Sequence, residues 1–227
     1  MKPPRRESCL AAAPYLAWMV LMFALPEGAL SYAVRTAVAA AALAAWFFMR
    51  GGRTADSAGA PRAALPSAVL WGVFAGVAVT VLWIVPEYLG LYRKWCILGD
   101  VPSPLDVQTS PYAPENCGWT LAVLRLFGSA FIIAPAEEIF FRNFLYRRLQ
   151  RDDWTAVDPR RFDLTAFLWM VGLFALEHNR IVAAVMAGVF YGIVYIRRGL
   201  WAAILAHVLT NLLLALFVLK TGAWAFW

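Results

Sequence analysis

Two adjacent carboxylates, Glu137 and Glu138, stand in the stretch Pro135-Ala136-Glu137-Glu138-Ile139-Phe140-Phe141-Arg142, inside sequence that otherwise reads as membrane-buried. A charge at the bilayer centre costs several kcal/mol, roughly 2.5–3.5 on insertion scales, so an intramembrane ionisable residue is a functional candidate by default. Spacing separates the two acids. Glu138 and Arg142 are four residues apart and share a helix face, where they can neutralise each other. Glu137 sits about 100° around the helix with no partner in this stretch, which leaves it free for chemistry. The chain's two histidines also lie in apolar surroundings: His178 ends Phe174-Ala175-Leu176-Glu177-His178, and His207 shares a helix face with Asn211. A carboxylate held away from water becomes a competent general base near neutrality, and beside a histidine it can take a proton from water and return it to a leaving amine. A second histidine and an amide suit an oxyanion hole. That is hydrolytic chemistry. The set Glu137, His178 and His207 equally offers the three protein ligands of a catalytic Zn²⁺, while the local zinc signature HExxH is absent. The residues alone leave both open.

These groups can act together only if the elements bearing them bring them to one depth. The 227 residues are 62% hydrophobic and 15% charged, far from the even balance of a soluble domain, so the chain reads as an integral membrane protein. Seven apolar runs are visible: Leu10–Leu25, Ala29–Met49, Ser67–Leu89, Trp119–Ala134, Leu164–Leu176, Ile181–Ile196 and Leu200–Leu219. The expected fold is all-α, a polytopic transmembrane bundle of about seven to eight helices forming one domain over residues 1–227, with the motif-bearing half at about 119–219. Pro135 marks a kink or a fresh helix start, after which the acid-bearing helix runs to about Gln150. At ~1.5 Å per residue from the basic ends of their segments, Glu137, His178, His207 and Asn211 lie roughly 15, 22, 14 and 20 Å deep. A hydrocarbon core is about 30 Å thick, so one pocket can hold all four. His178 is expected at a turn short of the far surface, because only Asn179 and Arg180 separate it from the next run.

The net charge of +6 does not point to nucleic acid, because the basic residues fall in alternate connecting segments. With the N-terminus inside, fourteen of the 20 Lys and Arg residues gather on the inner side, four on the outer, and Arg35 and Arg125 lie within helices. That orientation puts Cys96 and Cys117 outside, where they can form a disulfide in an oxidising compartment. Arg35 can either snorkel to a headgroup or pair inside the bundle. Gly72-x-x-x-Gly76 and Gly188-x-x-x-Gly192 read as close helix contacts. Asp152, Asp153, Asp158 and Asp163 read as a solvated inner loop, Glu177 as a turn-facing charge rather than a second base, and Trp224 and Trp227 as an interfacial anchor.

Taken in order, Glu137-Glu138-x-x-x-Arg142, Phe174-x-x-x-His178 and His207-x-x-x-Asn211 resemble the three motifs of the CAAX-processing and bacteriocin-processing (CPBP, or Abi) intramembrane proteases. Each motif alone is weak; the ordered set, spanning Glu137 to Asn211, is specific. The ending Thr221-Gly222-Ala223-Trp224-Ala225-Phe226-Trp227, with Leu82-Trp83-Ile84-Val85-Pro86-Glu87 upstream, resembles the CAAX protease-related branch that accompanies bacterial exosortase systems. The resemblance implies a membrane endopeptidase with its site open to the cytoplasmic side, acting on a membrane-associated peptide or protein. It implies Glu137 and His178 as the water-activating pair, His207 and Asn211 as transition-state stabilisers, and Glu138 with Arg142 as support. It implies a bacterial inner-membrane location with exosortase-system partners, and leaves zinc either required or dispensable. Asn143 departs from the pattern, standing where the family commonly has glycine, which bears on helix packing or substrate approach. In a bacterial setting the substrate is expected to be other than a prenylated CAAX protein.

Two other classes fit parts of the sequence. A non-catalytic immunity or partner-binding factor of an envelope protein-sorting system would keep the acidic–histidine cluster for stability. A proton-coupled transporter would use intramembrane Glu and His, but no inverted repeat or pair of broken helices is visible.

Overall fold

The computed structural model describes residues 5–49, 65–91, 103 and 106–227. Cys96, and with it the disulfide expected of Cys117, lies outside them. The chain forms α1 (Arg5–Ala24), α2 (Ala29–Met49), α3 (Leu65–Tyr88), α4 (Trp119–Gln150), α5 (Leu164–Leu176), α6 (Ile181–Arg198) and α7 (Leu200–Thr221), and the described residues contain no strand. Six of these helices, all but α5, are long and apolar enough to cross a membrane, as an integral membrane bundle requires. The 13 residues of α5 reach only about 20 Å against a hydrocarbon core of about 30 Å. The turn that follows therefore starts inside the bundle. Its last residue, Arg180, is buried, with Nη1 donating to the Ala225 carbonyl at 2.6 Å and Nε 3.5 Å from the Glu87 carboxylate.

Polarity is arranged inside out. Large apolar side chains such as Phe23, Phe48, Leu70, Phe74 and Trp169 are exposed on the outer faces of their helices, while Arg35, Glu137, Glu138, Arg142, Asn143 and His207 are buried. Lipid solvates the first group, and only partners within the bundle can satisfy the second. Arg35 settles inside: its guanidinium lies 5.0 Å from the Trp18 ring and 5.7 Å from Tyr32. Arg125 is held in the same way, 3.9 Å from the Tyr112 ring and 4.6 Å from Tyr32. Desolvated cation–π contacts of this kind are worth about 2 kcal/mol each.

Both glycine pairs sit at helix crossings. A Cβ at Gly72 would lie 2.9 Å from the Ala202 carbonyl and one at Gly76 2.8 Å from that of Ala206, so α3 and α7 touch backbone to backbone. Thr210 Oγ1, on α7, donates to the Gly76 carbonyl at 3.1 Å across this contact. Gly192 on α6 instead makes room for a side chain, the Phe167 ring of α5, which lies 2.7 Å from where a Cβ would stand. Gly76→Leu is expected to push α7 away from α3 at the level of His207. The overpacking costs about 1–3 kcal/mol, and the half-inactivation temperature in detergent should fall by roughly 2–4 °C for each kcal/mol. A variant melting with the parent protein would show that the crossing is loose. At the end of the crossing, Gly199 alone joins α6 to α7; its φ of 90°, a conformation open to glycine, turns the chain back within one residue.

The chain runs through Pro135 in α4 without a break. Pro135 lacks an N–H and its ring clashes with the carbonyl four residues back. The helix widens to π geometry at Ser129–Ile133, where the Ala134 N–H bonds to Ser129 O, five residues back, and again at Ile139–Leu145. The α-turn Ala134–Glu138, holding both acids, lies between the two. Interruptions of this kind are frequent at functional sites. At the basic end of α4, the Arg147 guanidinium donates to the carbonyls of Thr155 and Val157 and to Asn143 Oδ1. Asn143 is thus fully buried and committed to packing. The loop it steadies exposes Asp152 and Asp158, as expected of a solvated segment, while Asp163 caps α5 by accepting from the Ala166 N–H.

Candidate active site

Five helices, α3 to α7, converge on one cavity of about 180 Å³ whose lining includes Glu137 (α4), His178 (after α5), His207 and Asn211 (α7). All four residues singled out in the sequence meet there. Trp83 on α3 and Tyr191 on α6 complete its walls. The Tyr191 ring stacks on the His207 imidazole at 4.7 Å, and its hydroxyl donates to Thr210 Oγ1 at 2.7 Å, so the histidine is fixed by a neighbour that is itself fixed. Trp83 meets His178 edge-on at 5.6 Å, and Phe174 lies between the two imidazoles, 4.7 Å from one and 6.0 Å from the other.

Glu138 and Arg142 form the expected pair at 2.9 Å, both side chains fully buried. The same Glu138 oxygen lies 2.9 Å from His207 Nδ1. A carboxylate already facing a guanidinium can only accept, so Nδ1 carries a proton and donates it. This fixes the His207 tautomer and leaves Nε2 pointing at chemistry, the arrangement by which a buried acid orients a catalytic imidazole. Nε2 is 3.6 Å from Glu137 Oε2, a carboxylate oxygen that is buried and has no hydrogen-bond partner. The second histidine is oriented by backbone instead: His178 Nδ1 donates to the Phe174 carbonyl at 2.8 Å, which leaves its Nε2 lone pair free. Asn211 Nδ2 donates to the Ser129 carbonyl at 3.0 Å, the same oxygen that accepts from the Ala134 N–H in the π turn before Pro135.

Three features differ from the sequence reading. Glu177 belongs to the site: it is half-buried, takes a very short hydrogen bond from the Tyr15 hydroxyl, and lies beside Glu137. Its adjacency to His178 was the available signal, but its partner is on α1, far away in the chain. The ligand geometry also changes. Glu137, Glu177 and His178 can each offer one ligand atom with all three within 4.8 Å of one another, and His207 is not in that group. Two carboxylates and an imidazole fit a divalent cation such as Zn²⁺, while His207 Nε2, 3.6 Å from Glu137 Oε2, falls outside that cluster. Finally, the end of the chain is no interfacial anchor. It folds back so that Trp224 and Phe226 are buried, and Phe226 and Trp227 line the cavity, with Trp227 lying 5.4 Å from the Arg125 guanidinium.

Fold and site together define a polytopic helical membrane protein with a buried glutamate–histidine centre. Residues 119–213, which carry that centre from α4 into α7, match the family model for type II CAAX prenyl endopeptidases of the Rce1-like kind. Neither the curated proteins nor the solved structures contain a match to the chain.

Proposed function

We propose that the protein is an intramembrane endopeptidase that hydrolyses a peptide bond of a membrane-associated substrate. The observation that carries this reading is the convergence of Glu137, His178, His207 and Asn211 on one cavity within the stretch similar to the CAAX endopeptidases. Glu137 takes a proton from water held between it and His178, whose free Nε2 accepts the second hydrogen bond of that water. The resulting hydroxide attacks the scissile carbonyl. A neutral His207 presents a lone pair at Nε2, so it becomes an oxyanion donor only after gaining a proton. Glu137, 3.6 Å away, is the nearest source, and Glu138 stabilises the imidazolium so formed. Asn211 has a second N–H beyond the one given to Ser129, and this is the other oxyanion donor. The leaving amine then collects its proton from the Glu137–His207 pair.

If a divalent cation participates, Glu137, Glu177 and His178 are the residues that would hold it, and it would supply an acidified water. The N-terminus lies on the cytoplasmic side of what is, in a bacterium, the inner membrane, because that orientation gathers the basic residues inside. Partners from an exosortase system remain part of the proposal through the sequence resemblance.

The test uses purified protein in vesicles with two quenched-fluorescence peptides, one anchored by a prenylated cysteine and one by an acyl chain. Cleavage of either is expected, and His207→Ala should lower turnover by about 10²–10³-fold. No cleavage of any anchored peptide, with His207→Ala changing only the melting temperature, would favour the non-catalytic partner-binding reading.

A further inference from the structure

Charge and orphaned atoms at the site ask for something more than protein. Three carboxylates, Glu137, Glu138 and Glu177, share the centre, and Arg142 is committed to Glu138. Among the described residues no other Lys or Arg forms an ion pair with Glu137 or Glu177. A buried carboxylate without a cation or full hydrogen bonding is costly. The atoms left unsatisfied converge. Glu137 Oε2 and Glu177 Oε1 are both buried with no hydrogen-bond partner, and His178 Nε2 is free because Nδ1 serves Phe174.

Two of these three groups are also steadied from behind: Tyr15 donates to Glu177 Oε2, and the Phe174 carbonyl accepts from His178 Nδ1–H. Ligands whose far side is held by an outer partner are the pattern of a metal centre. Tyr15 is in turn wedged by ring contacts with Phe140 and Phe141 at 4.5 and 5.1 Å.

We propose that Glu137, Glu177 and His178 form a divalent-cation site, with Tyr15 as the outer residue that orients Glu177, and that His207 is not a ligand. The three ligand atoms lie within 4.8 Å of one another. A tetrahedral cation with bonds of about 2.1 Å needs separations near 3.4 Å, so closing on the ion takes side-chain shifts of order 1 Å. The cation replaces the two missing positive charges with one ion. This deepens the hydrolase reading and rests on it for what the cation does, but not for where it binds.

The experiment measures binding, not turnover. Protein freed of metal with a chelator is titrated in detergent with Zn²⁺ and, separately, with Mn²⁺, which thiolates hold weakly. Calorimetry, metal content and thermal shift are read together. Wild type is expected to take up one equivalent and melt at a higher temperature. Glu177→Gln and His178→Ala should weaken affinity at least about tenfold, and Tyr15→Phe by roughly 10–100-fold. His207→Ala should stay within about threefold of wild type. Tyr15→Phe keeps the ring packing, so it decides the matter if a ligand variant does not fold. No uptake by wild type, unchanged affinity in Glu177→Gln or Tyr15→Phe, or equal loss in His207→Ala overturns the site. Cleavage without uptake would leave the endopeptidase reading standing, and uptake without cleavage would leave only the site.

Discussion

Glu137→Gln is expected to abolish cleavage, lowering kcat/KM by at least about 10³-fold, while the protein still inserts and folds. The amide is nearly isosteric with the carboxylate but cannot take a proton from water. The structural cost should be small, because Glu137 Oε2 has no hydrogen-bond partner to lose. Removing a buried charge beside Glu138 and Glu177 also relieves repulsion, so in metal-free detergent solution the melting temperature should equal or exceed that of the parent. The two readouts separate the roles. A structural glutamate would lose stability and leave the reaction rate per folded molecule unchanged. Cleavage at the parent rate in Glu137→Gln would remove Glu137 from the chemistry and the endopeptidase reading with it.

Glu137 stands apart from Glu138 by helical geometry within one segment, and relations between segments are what the sequence does not carry. Helical spacing paired Glu138 with Arg142 and placed His207 and Asn211 on one face, and both relations hold because they are set within one helix. Depth counting placed all four side chains at a common level because helix rise varies little. What it could not supply were partners from other helices. The Glu138–His207 contact spans α4 and α7, and the bond from Tyr15 to Glu177 spans α1 and the turn after α5. Adjacency to His178 is the one local feature that sets Glu177 apart from an ordinary turn charge. Arg35 was ambiguous for the same reason, since the Trp18 ring that helps hold it belongs to another helix. The π turns flanking the acids leave no simple signature beyond Pro135. Tryptophans at the end of an apolar run suit an interface and a cavity wall equally, and only the bond from Arg180 to the Ala225 carbonyl decides between them.

Arg142→Met is expected to be the most destabilising single change in the site, by about 3–5 kcal/mol. Arg142 is fully buried, 2.9 Å from Glu138 and 4.2 Å from the Phe174 ring. Its removal leaves the fully buried Glu138 carboxylate uncompensated, with only the His207 Nδ1–H left to bond it. The double variant Glu138→Leu/Arg142→Met removes both charges together, and buried pairs replaced by apolar residues often recover or exceed the original stability. Thermal stability in detergent is therefore expected to fall sharply in Arg142→Met and to return most of the way in the double variant. Activity should not return with it. Without Glu138, nothing holds His207 in the tautomer that turns Nε2 toward Glu137 or stabilises the imidazolium once it forms. Chemical-shift or pH-profile measurements on the double variant should then show a histidine no longer coupled to a neighbouring acid. A double variant that is both stable and active would mean that Glu138 and Arg142 merely neutralise each other, and that His207 is held by the stacked Tyr191 ring alone.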